Sequence, residues 1–123
     1  MLRKPKPITL KRVSPRLRVL CGDEIALGPG KADLLAVVAE TGSIREAAER
    51  MHMSYMRAWT LIRTMNQCFK EPLVLSIRGG KAGGGAHLTD TGNKALELYQ
   101  RMERNCFTAM NQDWVALKKL LRE

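Results

Sequence analysis

The densest chemistry in this chain lies in RGGKAGGGAHLT, residues 78–89, where five glycines surround Lys81 between Arg78 and His87. Glycine-rich loops beside a lysine cradle phosphates in nucleotide-using enzymes, and that chemistry has fixed requirements. A phosphate loop needs G-x-x-x-x-G-K followed by Ser or Thr, because the hydroxyl ligates magnesium. Here Lys81 is followed by Ala82, and no glycine stands at the required spacing before it. A dinucleotide fingerprint must open a helix, whereas this loop runs into AHL, which reads as a strand. Both nucleotide readings fail. What remains is a hairpin tip, either without a partner or lying along the phosphates or minor groove of a nucleic acid through Arg78 and Lys81. Glycine lets one backbone approach another closely, which favours the second reading.

The other reactive side chains do not assemble. His52 and His87 stand apart from each other and from Cys21, Cys68 and Cys106. There is no C-x-x-C or H-x-x-x-H pair, so no metal is expected. Three widely separated cysteines make no disulfide framework and point to a reducing cytoplasm. They read as small core hydrophobes, with a thiol sensor as the alternative. No Ser-His-Asp, paired-carboxylate or Cys-His spacing suggests catalysis. The expectation is a protein that is not an enzyme and carries no cofactor.

Charge supplies the stronger signal. Twenty-one Lys and Arg against twelve Asp and Glu leave a formal charge of +9 on 123 residues. Such an excess suits a polyanion, either nucleic acid or an anionic membrane surface. No apolar run approaches the roughly 20 residues that span a bilayer, and the start, MLRKPKPITLKR, lacks the apolar stretch of a secretory signal.

These residues need elements to position them. Residues 1–15 are basic, rich in proline and free of acids, and read as a flexible arm: a solvated tail or a nucleic-acid contact. RLRVLCGDEIALG predicts a hairpin about Gly22-Asp23, with Leu17, Val19 and Cys21 on one side answered by Ile25 and Leu27. KADLLAVVAET predicts a helix buried through Leu34, Leu35 and Val38 and closed by Gly42. Ser43 followed by Glu46 is a capping box that starts a short helix at Ile44, with Ala47, Ala48 and Met51 inward. After HMS, Ser54 caps a second helix running to about Phe69, whose stripe of Ala58, Leu61, Ile62, Met65 and Phe69 is buried. Met56, Thr60, Arg63 and Gln67 face outward with Arg57 on the flank, and Tyr55 and Trp59 divide between packing and contact.

LVLSIR and AHL predict the two strands of a wing around RGGKAGGG. Thr89 then caps a last helix with Ala95, Leu98, Tyr99, Met102 and Cys106 at helical spacing. A further stripe from Trp114 through Leu117 to Leu121 follows, and Asn111-Gln112-Asp113 leave open one helix or two. The whole is mainly α with a small β component: a winged helix-turn-helix over residues 16–92 and a C-terminal helical dimerisation region over 93–123.

GSIREAAERMHMSYMRAWTLIRTMNQ followed by RGGKAGGGAHLTDTG resembles the N-terminal DNA-binding domain of the ModE family of molybdate-responsive bacterial regulators. More distantly it is similar to LysR-type regulators, through GS-x-x-x-AA and the LT-x-x-G after the wing. The resemblance runs from about Leu17 to Met102. It implies a cytoplasmic, dimeric transcription regulator whose second helix enters the major groove of double-stranded DNA. The ModE family continues into tandem molybdate-binding domains, for which this sequence has no room before Glu123, so molybdate sensing is not carried over. The expectation is a stand-alone DNA-binding member, with any effector or sensor partner unidentified. Its expected DNA contacts are Ser43, Ser54, Tyr55, Met56, Arg57, Thr60, Arg63, Arg78 and Lys81. Its expected dimer contacts are Leu98, Tyr99, Met102, Cys106, Trp114, Leu117 and Leu121.

Overall fold

Local signals start each helix. In a computed structural model describing residues 11–80 and 83–122, the order is β1 (Val19–Cys21), β2 (Glu24–Leu27), α1 (Pro29–Thr41), α2 (Ile44–Arg50), α3 (Tyr55–Cys68), β3 (Val74–Gly80), β4 (Gly83–Leu88) and α4 (Asp90–Lys118). The Ser43, Ser54 and Thr89 hydroxyls accept from the N–H groups of Glu46, Arg57 and Gly92 at 3.1, 3.1 and 2.9 Å. Each thereby satisfies one of the N–H groups that a helix start leaves without an intrahelical partner. The Ser43 N–H turns back to Thr41 Oγ1 at 3.3 Å. α1 begins two residues earlier than KADLL because Pro29 occupies its first position, where a missing N–H costs nothing. It ends at Gly42, whose left-handed φ of 68° lets its N–H bond the Val38 carbonyl at 2.8 Å.

α1 is the centre of the core: Leu34, Leu35 and Val38 have no exposed surface. Buried Ala47 and Ala48 on α2 and Ala58 on α3 bring those helices close, and Ile62 and Met65 complete the layer. Leu73, Val74, Ala86 and Leu88, at the base of the β3–β4 hairpin, cover it from the other side. Burying one such aliphatic side chain contributes about 1.5–3 kcal/mol.

Both hairpins depart from simple alternation. In β1–β2 the register shifts between Val19, opposite Leu27, and Leu20, opposite Ile25. That bulge turns Ile25 away from the core side expected for it, and Ile25, Leu20 and Cys21 are all exposed. In β3–β4 the ladder runs from Val74↔Leu88 to Gly80↔Gly83, with a shift between Ile77 and Gly80. All five glycines expected in a loop therefore belong to strands, since a ladder is made by backbone groups that glycine also carries.

α4 is continuous through Asn111-Gln112-Asp113. None of these three removes a backbone N–H or costs more than about 0.7 kcal/mol of helix propensity. Residues 11–18 form no regular element and are alternately half-buried and exposed, with Leu17 tied to α4 by the Tyr99 hydroxyl. Of the arm expected at residues 1–15, residues 1–10 lie outside the described residues, and 11–15 share this alternation.

Tyr99 corrects one expectation. It was assigned to a dimer contact, but its ring is 1% exposed in the chain's own core and its hydroxyl donates to the Leu17 carbonyl at 2.8 Å. A helical stripe shows which face is apolar, not what covers it. Burial, reinforced by Glu103 and Asp33 and opposed by Arg16, holds the phenol above its ordinary value near 10. The folded state therefore keeps this proton where the unfolded chain releases it. The contribution is full below about pH 10 and is lost as pH rises through the folded pKa. Tyr99→Phe is expected to cost about 1 kcal/mol at pH 8 and to flatten the alkaline decline seen in urea unfolding at higher pH.

Candidate nucleic-acid interface

The helix-turn-helix is built by α2, the turn 51–54 and α3. His52 takes a left-handed φ of 56°, and its N–H bonds the Glu49 carbonyl at 3.1 Å while the Met53 N–H bonds Ala48 at 3.0 Å. The turn is thus closed by backbone bonds, and Ser54 launches α3 at a fixed angle. Because Ala58, Ile62 and Met65 are buried, the opposite side of α3 is necessarily free. Met56, Arg57, Thr60, Arg63 and Gln67 are exposed there.

Two aromatic rings organise the cations. The Arg45 guanidinium lies 5.2 Å from the Tyr55 ring centre, and that of Arg63 lies 5.7 Å from Trp59. Such contacts hold a flexible arginine in place while its N–H groups stay available. Neither Arg57 nor Arg63 pairs with a carboxylate among the described residues. Thr60 donates its hydroxyl proton to the Met56 carbonyl at 2.8 Å, which leaves oxygen lone pairs facing out as acceptors. Ser43 and Ser54 do the reverse. As caps they accept, so each hydroxyl proton remains to be donated. Arg45 was not anticipated; its exposed position two residues after the Ser43 cap was the available signal.

The wing is fixed to this helix by one side chain. Asn66 Oδ1 accepts from the Leu73 and Val74 N–H groups at 2.8 and 3.2 Å, and Nδ2 donates to the Val74 carbonyl at 3.0 Å. A cleft of about 240 Å³ lies between helix and wing, lined by Trp59, Arg63, Gln67 and Ser76 among others. On its far side the wing is tied to α1 by the Ala86 N–H, which bonds the Gly42 carbonyl at 2.9 Å. Arg78 is a residue of β3, and Lys81 lies outside the described residues. Of the expected dimer residues, Leu98, Met102, Leu117 and Leu121 are exposed and Cys106 and Trp114 half-buried; Phe107, Val115 and Leu120 are further exposed apolar residues on or just beyond α4. Among the described residues no group of His, Cys, Asp and Glu could hold a metal ion, and no helix is long and apolar enough to cross a membrane.

Residues 31–93, just over half of the chain, match the family described as "Bacterial regulatory helix-turn-helix protein, lysR family". The chain belongs to that family. The matched segment of this LysR-family chain runs from α1 through the helix-turn-helix and wing to the first turn of α4. The chain is 38% identical over 87 residues to the molybdenum transport protein ModE of Azotobacter vinelandii, covering 71% of this chain and 32% of that protein. It is 36% identical over 88 residues to the DNA-binding transcriptional dual regulator ModE of Escherichia coli K12, covering 69% and 34%. It thus spans about a third of the length of these relatives. The fold is also that of CbnR_DBD, solved in a complex with DNA: TM-score 0.56 at 22% identity, covering 72% of this chain and 95% of that one.

Proposed function

We propose that this LysR-family chain is a sequence-specific DNA-binding transcription regulator that acts as a homodimer, with α3 in the major groove and the wing against the backbone or minor groove. The observation that carries this reading is the free face of α3. It presents two arginines without a carboxylate partner among the described residues and an acceptor hydroxyl beside two capping hydroxyls, on a chain of charge +9. Arg57 and Arg63 supply the forked donors that match guanine O6 and N7. Thr60 accepts from the exocyclic amine of adenine or cytosine. Ser43, Ser54 and Tyr55 donate to phosphates, and Met56 meets an apolar base edge. The ModE relatives, one of them named as a DNA-binding regulator, support the same reading.

The test begins with selection of bound sites from a random duplex pool, expected to return a two-fold-symmetric sequence. Arg57→Ala and Arg63→Ala should each lose about 1–3 kcal/mol on that site and relax preference at particular base pairs. Unchanged affinity and an unchanged selected sequence in both variants would remove α3 from the reading. Random DNA competing as well as the selected site would favour a nonspecific architectural protein instead. Lys81→Ala should lower the log–log salt slope by about 0.9, the mark of one lost phosphate contact, while keeping the selected sequence.

A further inference from the structure

Two of the three cysteines meet across the fold. Cys21 is the last residue of β1 and is exposed; Cys68 is the last residue of α3 and is half-buried. The Cys21 thiol donates to the Cys68 carbonyl oxygen, with Sγ 3.9 Å from it. Since 47 positions separate them in sequence, only the tertiary fold brings them together. Cys21 adjoins the exposed Gly22-Asp23 turn and is open to solvent. Burial, followed by Cys21 itself, raises the Cys68 pKa, while the nearby Lys31 ammonium pulls it down and Glu24 pushes it up. Cys106, on α4, is not part of the pair.

We propose that Cys21 and Cys68 form a reversible intramolecular disulfide, with a hydroperoxide as oxidant, that staples the C-terminal end of α3 to the β1–β2 hairpin. The exposed Cys21 thiolate attacks the distal oxygen of the hydroperoxide. The O–O bond breaks, and the products are a sulfenic acid on Cys21 and the corresponding alcohol, or water from hydrogen peroxide. The Cys68 thiolate then attacks the Cys21 sulfur, the S–O bond breaks, and hydroxide leaves and takes up a proton as water. Two thiols lose two hydrogens in total and one peroxide bond is reduced. The staple acts on the unfolded chain by closing a long loop, so the oxidised protein is the more heat-resistant form, with α3 anchored at its end remote from Ser54. This inference does not depend on DNA binding and is read out without it.

The test treats the full chain and its Cys106→Ser variant with graded hydrogen peroxide, then counts alkylatable thiols and maps peptides. The expected result is loss of two thiols per chain in both proteins and a peptide pair joining Cys21 to Cys68. Dithiothreitol should reverse it, and the oxidised form should melt higher by about 10 °C. Cys21→Ser and Cys68→Ser should each form no intramolecular bond and show no such shift. The inference is overturned if Cys68 stays alkylatable while Cys21 oxidises alone or links to a second chain.

Discussion

Gly92→Ala is expected to destabilise the protein by about 3 kcal/mol or more, the upper end for adding volume to a packed site. Helix propensity alone argues for a gain of up to about 1 kcal/mol, so the two effects have opposite signs. A Cβ at Gly92 would stand 2.9 Å from the Leu73 carbonyl carbon, with the carbonyl oxygen closer still. The obstacle is backbone, which cannot swing aside as a side chain would. Leu73 is itself held by Asn66 through its N–H at 2.8 Å, and by Thr89, whose N–H bonds its carbonyl at 2.9 Å. The Thr89 hydroxyl donates to Pro72 at 2.6 Å and Thr91 to Glu71 at 2.8 Å. α4 is thus fastened along residues 71–73, and a methyl group forces it off. Urea unfolding measures the loss; a variant as stable as wild type would mean that α4 does not depend on this approach.

The largest functional effect is expected from Leu117→Asp. Leu117 is 55% exposed on α4, so the change leaves the domain itself folded. Within the proposed dimer it places a carboxylate in the apolar contact. Sedimentation at micromolar concentration should turn from dimer to monomer. Affinity for a two-half-site duplex should fall by roughly 10²-fold or more, because the second half-site is no longer delivered at high effective concentration. A wild-type chain that remains a monomer even on its selected site would refute the dimer.

How much of this was legible in the sequence follows from the range of each interaction. The caps at Ser43, Ser54 and Thr89 act over three residues, and the order of elements could be read from them. The α3 stripe is equally local, so its free face followed. The bulge after Val19 was not legible, because one extra residue in a strand leaves no compositional mark. Tyr99 and Met102 share an apolar stripe, yet only the tertiary fold separates the buried ring from the exposed side chain. Gly92 in LTDTG read as part of a family motif, with nothing to show that a carbonyl passes against it. Cys21 and Cys68 looked isolated for the same reason: their proximity is made by the fold.

The joint at Leu73 also has a mechanical meaning. The buried residues of α4, Gly92 and Tyr99, lie near its start, and most of the rest is exposed. From Gly92 to Leu117 is roughly 37 Å of helix, so a tilt of about 5° at the joint displaces Leu117 by about 3 Å. Read in the other direction, a lateral force at the far end reaches Leu73 with that leverage. Asn66 then passes it to α3 through three hydrogen bonds. The long helix is a handle: whatever grips its tip can tilt α3.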